Sequence, residues 1–259
     1  MRLVMFTNNS PSGKYLMNQL TTFKHFESVI IELKYKNILE KFFQRIFGYV
    51  NYSNFKQFLE LRKTKENRQI YKIEKKYIKL LNKSLKSKSS FKGKLLKVRN
   101  INDSQVIQHL KNVKPDLIIV FGTYVIKEDL LRTFPYTQFV NIHFSILPYY
   151  RGSKPEFWQF YNKDYDKVGI TLHIVEKNVD TGPILCQAHT KVNSNDNYIT
   201  IRYANLKTAI NLIKHNLEKI EKHLINPIPQ DLNKHKTYKY NMFQHRRYDY
   251  WKEVLHIDD

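Results

Sequence analysis

Two polar side chains near the end of one apolar run are the residues of this chain whose types and spacing best suit chemistry. Asn141 and His143 alternate within residues 139–143, so an extended strand would direct both to the same face. An amide can donate a hydrogen bond to a developing oxyanion, and an imidazole can donate or accept a proton, as addition to a carbonyl requires. The pair alone is a weak indication, because a single strand histidine is more often a hydrogen-bonded core residue.

A carboxylate and a rigid loop extend this pattern. Asp180 follows His143 by 37 residues in the turn 179–183, and the segment 147–152 between them is predicted to be a loop. Residues 141–148 read Asn-Ile-His-Phe-Ser-Ile-Leu-Pro, and residues 180–183 read Asp-Thr-Gly-Pro. Together they resemble the folate-dependent formyltransferases, whose shared pattern is Asn-x-His-x-Ser-x-Leu-Pro, then a strand, then Asp-x-Gly-Pro. The resemblance is close over residues 115–192.

The resemblance implies that Asn141, His143 and Asp180 are the catalytic residues. When an amine attacks a formyl carbon, negative charge develops on oxygen and excess positive charge on nitrogen. The Asn141 amide can donate to the oxyanion, an interaction worth roughly 3–4 kcal/mol. His143 can assist it or carry the proton of the amine, and Asp180 can orient His143 or accept a proton through water. The sequence leaves this division of labour open.

The resemblance also implies a co-substrate, N10-formyltetrahydrofolate, bound along the loop after the fourth strand. In this chain we expect contacts from Phe121, Gly122, Thr123, Tyr124 and Val125. Gly122 suits a close approach of the backbone to a ligand. The alternative interpretation of this segment is an ordinary turn at the end of a strand.

The segment 150–158 limits the candidate acceptor amines. It reads Tyr-Arg-Gly-x-x-Pro-x-x-Trp. It is most similar to formyltransferases that act on nucleotide-linked amino sugars or on methionyl-tRNA. Enzymes of purine synthesis usually lack this Arg-Gly and have a Gly-rich loop after the first strand, which is absent here. We predict an amino sugar on dTDP, UDP or GDP, formylated for surface polysaccharide assembly. The predicted substrate-binding residues are Asn8, Ser10, Tyr150, Arg151, Gly152 and Lys154.

Two other functions remain open. A methionyl-tRNA formyltransferase would suit the positive charge, but the 34 residues after Ile225 are too few for the C-terminal barrel of those enzymes. A catalytically inactive binding or scaffold protein would not need Asn141, His143 and Asp180 to be intact. We also leave open a substrate-lining or structural role for His173, and we interpret Cys186 as a strand residue rather than a nucleophile.

The periodicity of apolar residues predicts an α/β domain with a central, mostly parallel, Rossmann-like sheet over residues 1–225. Strands are expected near 2–7, 28–32, 95–98, 117–121 and 139–143, then at 169–175 and 184–192 as a hairpin. Helices are expected at 103–112, 127–132 and 199–225. Residues 34–92 read as a basic helical insertion, and residues 226–259 as a polar, aromatic and basic C-terminal extension.

Charge and composition limit the remaining possibilities. The chain of 259 residues has 44 Lys and Arg against 23 Asp and Glu, a net charge of +21, and 19 of the basic residues lie between Lys34 and Lys97. This charge favours phosphate-bearing partners, although nucleic acid is not the predicted one. With one cysteine and no CxxC or HExxH spacing, we expect neither a disulfide nor a metal. No long apolar segment is present, so a cytoplasmic enzyme is expected, with a homodimer as one possible assembly.

Overall fold

A computed structural model of the protein describes residues 1–33, 65–86, 91–234 and 236–255. The strands in these ranges are β1 (Leu3–Asn8), β2 (Ser28–Glu32), β3 (Lys94–Val98), β4 (Leu117–Val120), β5 (Gln138–His143), β6 (Tyr150–Gly152), β7 (Gly169–Ile174), β8 (Ile184–His189) and β9 (Lys236–Tyr238). The helices are α1 (Pro11–Phe23), α2 (Lys65–Ser84), α3 (Ser104–Val113), α4 (Glu128–Thr133), α5 (Pro155–Tyr161), α6 (Ile201–Glu221) and α7 (Tyr240–Leu255). Short 3-10 turns lie at Tyr165–Lys167 and Leu232–Lys234.

The central sheet has seven strands in the order β3-β2-β1-β4-β5-β7-β8. The first five strands in this order are parallel to one another, while β7 runs antiparallel to β5 and β8 antiparallel to β7. Every residue of β1 is buried, as is usual where helices cover both faces of a parallel sheet. The predicted mostly parallel sheet and the predicted β7–β8 hairpin are therefore confirmed. The carboxyl ends of the parallel strands meet at one edge, where ligands bind in folds of this type.

Helices cover both faces of the sheet because residues alternate in direction along each strand. Leu3 and Met5 of β1 pack in one cluster with apolar residues of α1 and α6. Val4 and Phe6 pack in another with residues of α3 and α4. This two-sided burial fixes the strand ends in space, which is what a site at their edge requires.

A third cluster, which we term the aromatic cluster, lies beside the sheet. Its buried members are Ile70, Tyr150, Phe157, Trp158, Phe160, Val168, Tyr198, Ile199, Ile201, Tyr238, Phe243, Tyr248, Tyr250 and Trp251. Within it, the buried carboxylate of Glu74 accepts hydrogen bonds from the Tyr198 hydroxyl and the Trp251 indole and pairs with Arg247 at 3.0 Å. A buried carboxylate is tolerated when it is bonded in this way. The cluster thus joins α2 to α7.

The structure corrects two sequence-based predictions. Residues 150–152 are not loop but the strand β6, which pairs in parallel with β9 of the C-terminal extension. The extension, predicted as a polar tail, forms β9 and α7 and buries Tyr238 and Trp251 almost completely. The pairing of β6 with β9 was missed because a three-residue strand and its distant partner leave no periodic pattern in the sequence.

The predicted insertion 34–92 is described only in part. Helix α2 agrees with the predicted helical character of this insertion, whereas 34–64 and 87–90 lie outside the described residues. The domain boundaries at 34, 92 and 225 stay predictions. Among the helices that the structure describes, none has the length and apolar character needed to cross a membrane.

Candidate active site

The predicted catalytic residues converge at the carboxyl edge of the sheet. Asn141 and His143 lie in the last half of β5, and the antiparallel register places His173 of β7 opposite Asn141. Asp180 follows in the β7–β8 turn and adopts a left-handed backbone conformation, with φ of 53°. A hairpin beside β5 is therefore what brings the carboxylate back to the strand that carries the amide and the imidazole.

Asp180 is the centre of the resulting network. Its Oδ2 lies 3.4 Å from His143 Nδ1 and accepts the Gly152 amide at 2.8 Å. Its Oδ1 lies 3.4 Å from His173 Nε2 and accepts the Asn141 amide at 3.2 Å. Only 11% of the Asp180 side chain is exposed, so these contacts replace most of its hydration.

The ionisation of Asp180 follows from the balance of burial and neighbours. Burial raises the pKa of Asp180, but the imidazoles of His143 and His173 and the Gly152 amide together lower it by more. The pKa of Asp180 consequently lies well below its usual range. The group is a carboxylate at neutral pH and stabilises a proton held on an adjacent imidazole.

The proton positions on His143 are set by its second nitrogen. His143 Nε2 lies 2.6 Å from the carbonyl oxygen of Tyr150, which can only accept, so Nε2 carries a hydrogen. In the neutral ring, Nδ1 then presents its lone pair toward the Asp180 carboxylate. Addition of a proton at Nδ1 would convert this contact into a charged hydrogen bond. The arrangement is suited to accept and return one proton.

His173 completes the network in a different manner. Its Nδ1 lies 2.8 Å from the Ile174 carbonyl oxygen and donates to it, which leaves Nε2 as the acceptor for the Asn141 amide at 3.1 Å. The Asn141 nitrogen therefore directs its two hydrogens at His173 and Asp180. The sequence left both a substrate-lining and a structural role open for His173, and in the structure it contacts Asn141 and Asp180.

Residues 150–152 reach the site through their backbone. The Tyr150 ring stacks on Tyr238 with centroids 5.6 Å apart, and its hydroxyl donates to Asp164 at 2.6 Å. Arg151 is 1% exposed and donates from Nε and Nη2 to Gln230 Oε1 at 3.2 and 2.8 Å. Burial lowers the pKa of Arg151, with Asp180 opposing the change. What faces the network is the Tyr150 carbonyl and the Gly152 amide.

Gln230 is a component of the site that the sequence did not indicate. Besides accepting from Arg151, it donates from Nε2 to the carbonyl oxygens of Asp180 and Gly182 at 3.0 and 2.6 Å. It thereby ties β6 to the turn that carries Asp180. The residue lies in an irregular segment between Pro229 and the 3-10 turn Leu232–Lys234, where no periodicity marks a buried side chain.

The other predicted substrate-binding residues lie in neighbouring loops. Asn8 is buried, and its amide donates to the Gly122 carbonyl at 2.6 Å while its oxygen accepts from the Ser10 amide at 2.9 Å. Ser10 caps α1 by accepting from the Gly13 amide at 3.1 Å. Lys154 precedes α5, with its ammonium 5.4 Å from the Phe243 ring centroid. Substrate contacts from these side chains stay predictions.

The predicted co-substrate loop follows β4 directly. Phe121 is buried against Phe144, with ring centroids 5.2 Å apart, whereas Tyr124 and Val125 are 55% and 57% exposed. Gly122 has φ of 65°, and a Cβ there would lie 2.5 Å from Asn8 Nδ2, so only glycine fits. Among the described residues, no cluster of three or more His, Cys, Asp or Glu side chains is arranged to hold a metal ion.

Comparison with known families supports the same chemistry. The sequence model of the family described as formyl transferase matches residues 51–241. The methionyl-tRNA formyltransferase of Thermodesulfovibrio yellowstonii is 32% identical over 138 residues, which cover 52% of this chain and 44% of that protein. The chain thus spans less than half the length of this curated relative.

Solved structures with the same fold include sugar N-formyltransferases. The formyltransferase PseJ from Anoxybacillus kamchatkensis, in complex with UDP-4,6-dideoxy-4-formamido-L-AltNAc and tetrahydrofolate, is 27% identical with a TM-score of 0.51, covering 67% of this chain and 85% of that one. A sugar N-formyltransferase from Shewanella sp. is 16% identical with a TM-score of 0.57, covering 95% and 79%. At 16% identity, the likeness to the Shewanella structure concerns the fold alone.

Proposed function

The chain belongs to the formyl transferase family, and from that premise we propose that it transfers a formyl group from N10-formyltetrahydrofolate to the amine of a nucleotide-linked amino sugar. The observation that carries the proposal is the convergence of Asn141, His143 and Asp180 into one network, with each contact to the carboxylate at 3.4 Å or less. That network combines an amide donor, a proton-accepting nitrogen and a carboxylate at one strand edge.

In the proposed reaction, a bond forms between the sugar nitrogen and the formyl carbon, and the bond from that carbon to N10 of the folate breaks. The attacking nitrogen loses a proton, which His143 accepts at Nδ1 and returns to the departing N10. Asp180 stabilises the charged imidazole, and the Tyr150 carbonyl keeps the other ring nitrogen protonated. Asn141 exchanges its hydrogen bond to His173 for one to the oxyanion.

The loop after β4 is suited to the folate. Exposed apolar surface on Tyr124 and Val125 can pack against a flat heteroaromatic ring, while backbone groups around Gly122 supply polar contacts. N10-formyltetrahydrofolate supplies the formyl carbon, and the loop would present it to the edge where Asp180 lies. The proposed contacts are those of Phe121, Gly122, Thr123, Tyr124 and Val125.

Coverage favours the sugar over tRNA as the acceptor. This chain covers 85% of PseJ, whose bound ligand is a formylated sugar nucleotide, but only 44% of the methionyl-tRNA formyltransferase. We extend the proposal to cytoplasmic formylation for surface polysaccharide assembly. Methionyl-tRNA is the second candidate. The observation that favours it is the outer face of α2, where Lys72, Lys76, Lys79 and Lys83 are exposed.

The test incubates the protein and N10-formyltetrahydrofolate with a panel of dTDP-, UDP- and GDP-linked amino sugars, and with initiator methionyl-tRNA in parallel. Mass spectrometry should detect one added formyl group on a sugar nucleotide, and Asp180→Asn should serve as the inactive control. Formylation of the tRNA but of no sugar would replace the first proposal with the second. If every amine stays unmodified, the chain is a binding protein rather than an enzyme.

A further inference from the structure

We infer that Glu32, Asn102 and Asn8 are positioning residues that fix the loop after β4, and that they set the affinity for the formyl-folate without taking part in formyl transfer. This inference rests on the proposed function, since it assigns that loop to the co-substrate. Asn8 and Glu32 are the last residues of β1 and β2, and Asn102 lies in the loop after β3. All three are at the carboxyl edge of the sheet, and each bonds to the backbone of the β4–α4 loop.

Glu32 is the strongest of these contacts. It is the last residue of β2 and is 0% exposed, and its two carboxyl oxygens accept hydrogen bonds from two different loops. Oε2 accepts the Tyr124 amide at 2.6 Å, and Oε1 accepts the Ile101 amide at 2.8 Å. Hydrogen bonds to an ionised acceptor are about twice as strong as neutral ones, and a buried carboxylate requires them. Glu32 therefore joins the loop after β4 to the loop after β3.

Asn102 and Asn8 hold the same segment from either side. The Asn102 amide donates to the Val125 carbonyl at 3.0 Å, and its oxygen accepts from the Lys127 amide at 2.8 Å. Asn8 donates to the Gly122 carbonyl at 2.6 Å. The backbone of the loop is thus bonded at 122, 124, 125 and 127 to side chains that lie outside it.

The consequence of this arrangement is a surface loop with a fixed backbone that displays exposed apolar surface. Connecting loops are usually mobile, and ordering one upon binding reduces affinity. Here the backbone is already held, while the side chains of Tyr124 and Val125 remain more than half exposed. Exposed apolar side chains on a prefixed backbone fit a planar aromatic ligand such as a pterin. The side chains that fix the loop should therefore affect binding of the folate rather than the chemical step.

The experiment compares Asn102→Ala and Glu32→Gln with the wild-type protein and with Ser28→Ala. Ser28 is an apt control because it is buried on the same strand as Glu32, at the opposite edge of the sheet, and bonds to His109 at 2.9 Å. Titration calorimetry with 5-formyltetrahydrofolate should show affinity about tenfold weaker in each loop variant and unchanged in Ser28→Ala. The KM for the formyl donor should rise in parallel, with kcat within about twofold of wild type and the KM for the sugar unchanged.

Hydrogen exchange provides a readout that does not depend on activity. The Lys127 amide should exchange slowly in the wild-type protein, faster in Asn102→Ala, which removes its acceptor, and at the wild-type rate in Ser28→Ala. In Glu32→Gln one oxygen replaces the two that accept from Tyr124 and Ile101, so one of these two amides should exchange faster. Should Glu32→Gln fail to fold, the half-buried Asn102 still tests the inference. If the wild type binds the folate and Asn102→Ala shows the same affinity and the same exchange rates, the inference is overturned and the proposed function stands. If the wild type does not bind the folate, the proposed function is overturned together with this inference.

Discussion

On its sheet side the candidate site consists of side chains carried by β5, β7 and the β7–β8 turn, whereas on its other side β6 contributes a carbonyl and an amide of the backbone. The first group is held by strand pairing within a core of mainly aliphatic residues. The second is held by β9, Gln230 and the aromatic cluster. On the sheet side, strand pairing fixes the backbone, so the function depends on which side chains are attached to it. On the β6 side, the function depends on the backbone conformation, and the side chains matter only because they hold that conformation.

The largest expected effect is on the sheet side. His143→Ala, Asn141→Ala and Asp180→Asn should each lower kcat by about 10²–10³, because they remove a proton acceptor, an oxyanion donor or the charge that stabilises the imidazolium. Circular dichroism and thermal unfolding should show that the variants fold. Near-normal rates in all three would refute the assignment of the site.

A smaller loss is expected from Gly152→Ala on the β6 side. Gly152 has φ of 88°, and a Cβ would lie 2.3 Å from the Tyr238 carbonyl oxygen, so an alanine must displace β6 from β9. The displaced amide would no longer bond to Asp180, and we expect kcat to fall about tenfold. Steady-state kinetics on the folded variant would check this. Unchanged kinetics would mean that β6 does not orient Asp180.

Two substitutions to alanine, one in the aromatic cluster and one in the sheet core, sharpen this comparison. Tyr238→Ala removes a ring that stacks on Trp158 at 4.3 Å and on Tyr150, whereas Phe26→Ala removes a fully buried ring from the sheet core. Both should lower the free energy of unfolding by about 3–5 kcal/mol. Activity per folded molecule should fall severalfold in Tyr238→Ala alone, as measured by urea unfolding and active-fraction kinetics. Equal activity losses would remove the distinction between the two sides.

The ionisation of Asp180 predicts a pH-dependent difference in stability. Because its pKa is lower in the folded protein than the value of about 3.9 in unfolded chains, the unfolded state binds an extra proton between these two pKa values. This contribution is fully present above the unfolded pKa and is lost as pH falls through the folded pKa. The difference in unfolding free energy between wild type and Asp180→Asn should therefore decrease as the pH falls from about 5 to about 2. Denaturant titrations across that range would detect a constant difference if the pKa were not lowered.

The smallest effect is expected at Cys186, which lies on β8. Burial raises the pKa of its thiol to about 11, so little thiolate is present at neutral pH. Cys186→Ala should leave kcat within about twofold, and iodoacetamide should label the native protein slowly at pH 7. Rapid labelling with loss of activity would contradict the interpretation of Cys186 as a packing residue.

The sequence predicted the parts of the molecule that depend on local periodicity. Buried apolar runs identified the strands of the sheet, and two-residue alternation on β5 placed Asn141 and His143 on one face. It did not predict the pairing of β6 with β9, because three-residue strands 86 positions apart carry no pattern. It assigned Arg151 to substrate binding and did not indicate that the side chain is buried and bonded to Gln230.

Glu32 illustrates the same limit in another way. At the end of an apolar strand, a glutamate looks like the first solvent-exposed residue of a loop. The structure shows it fully buried, because two amides from loops 69 and 92 positions further along the chain converge on its oxygens. Such partners are fixed by the packing of the strands and cannot be inferred from neighbouring residues.

The pairing of β9 with β6 also bears on the order in which the protein becomes competent during synthesis. A ribosome that has completed β8 has already supplied every strand of the seven-stranded sheet, together with Asn141, His143 and Asp180. Gln230 and β9 are translated later, after the 21 residues of α6. All three site side chains, and β6 itself, are therefore synthesised before Gln230 and β9, the elements that hold the Tyr150 carbonyl and the Gly152 amide in place.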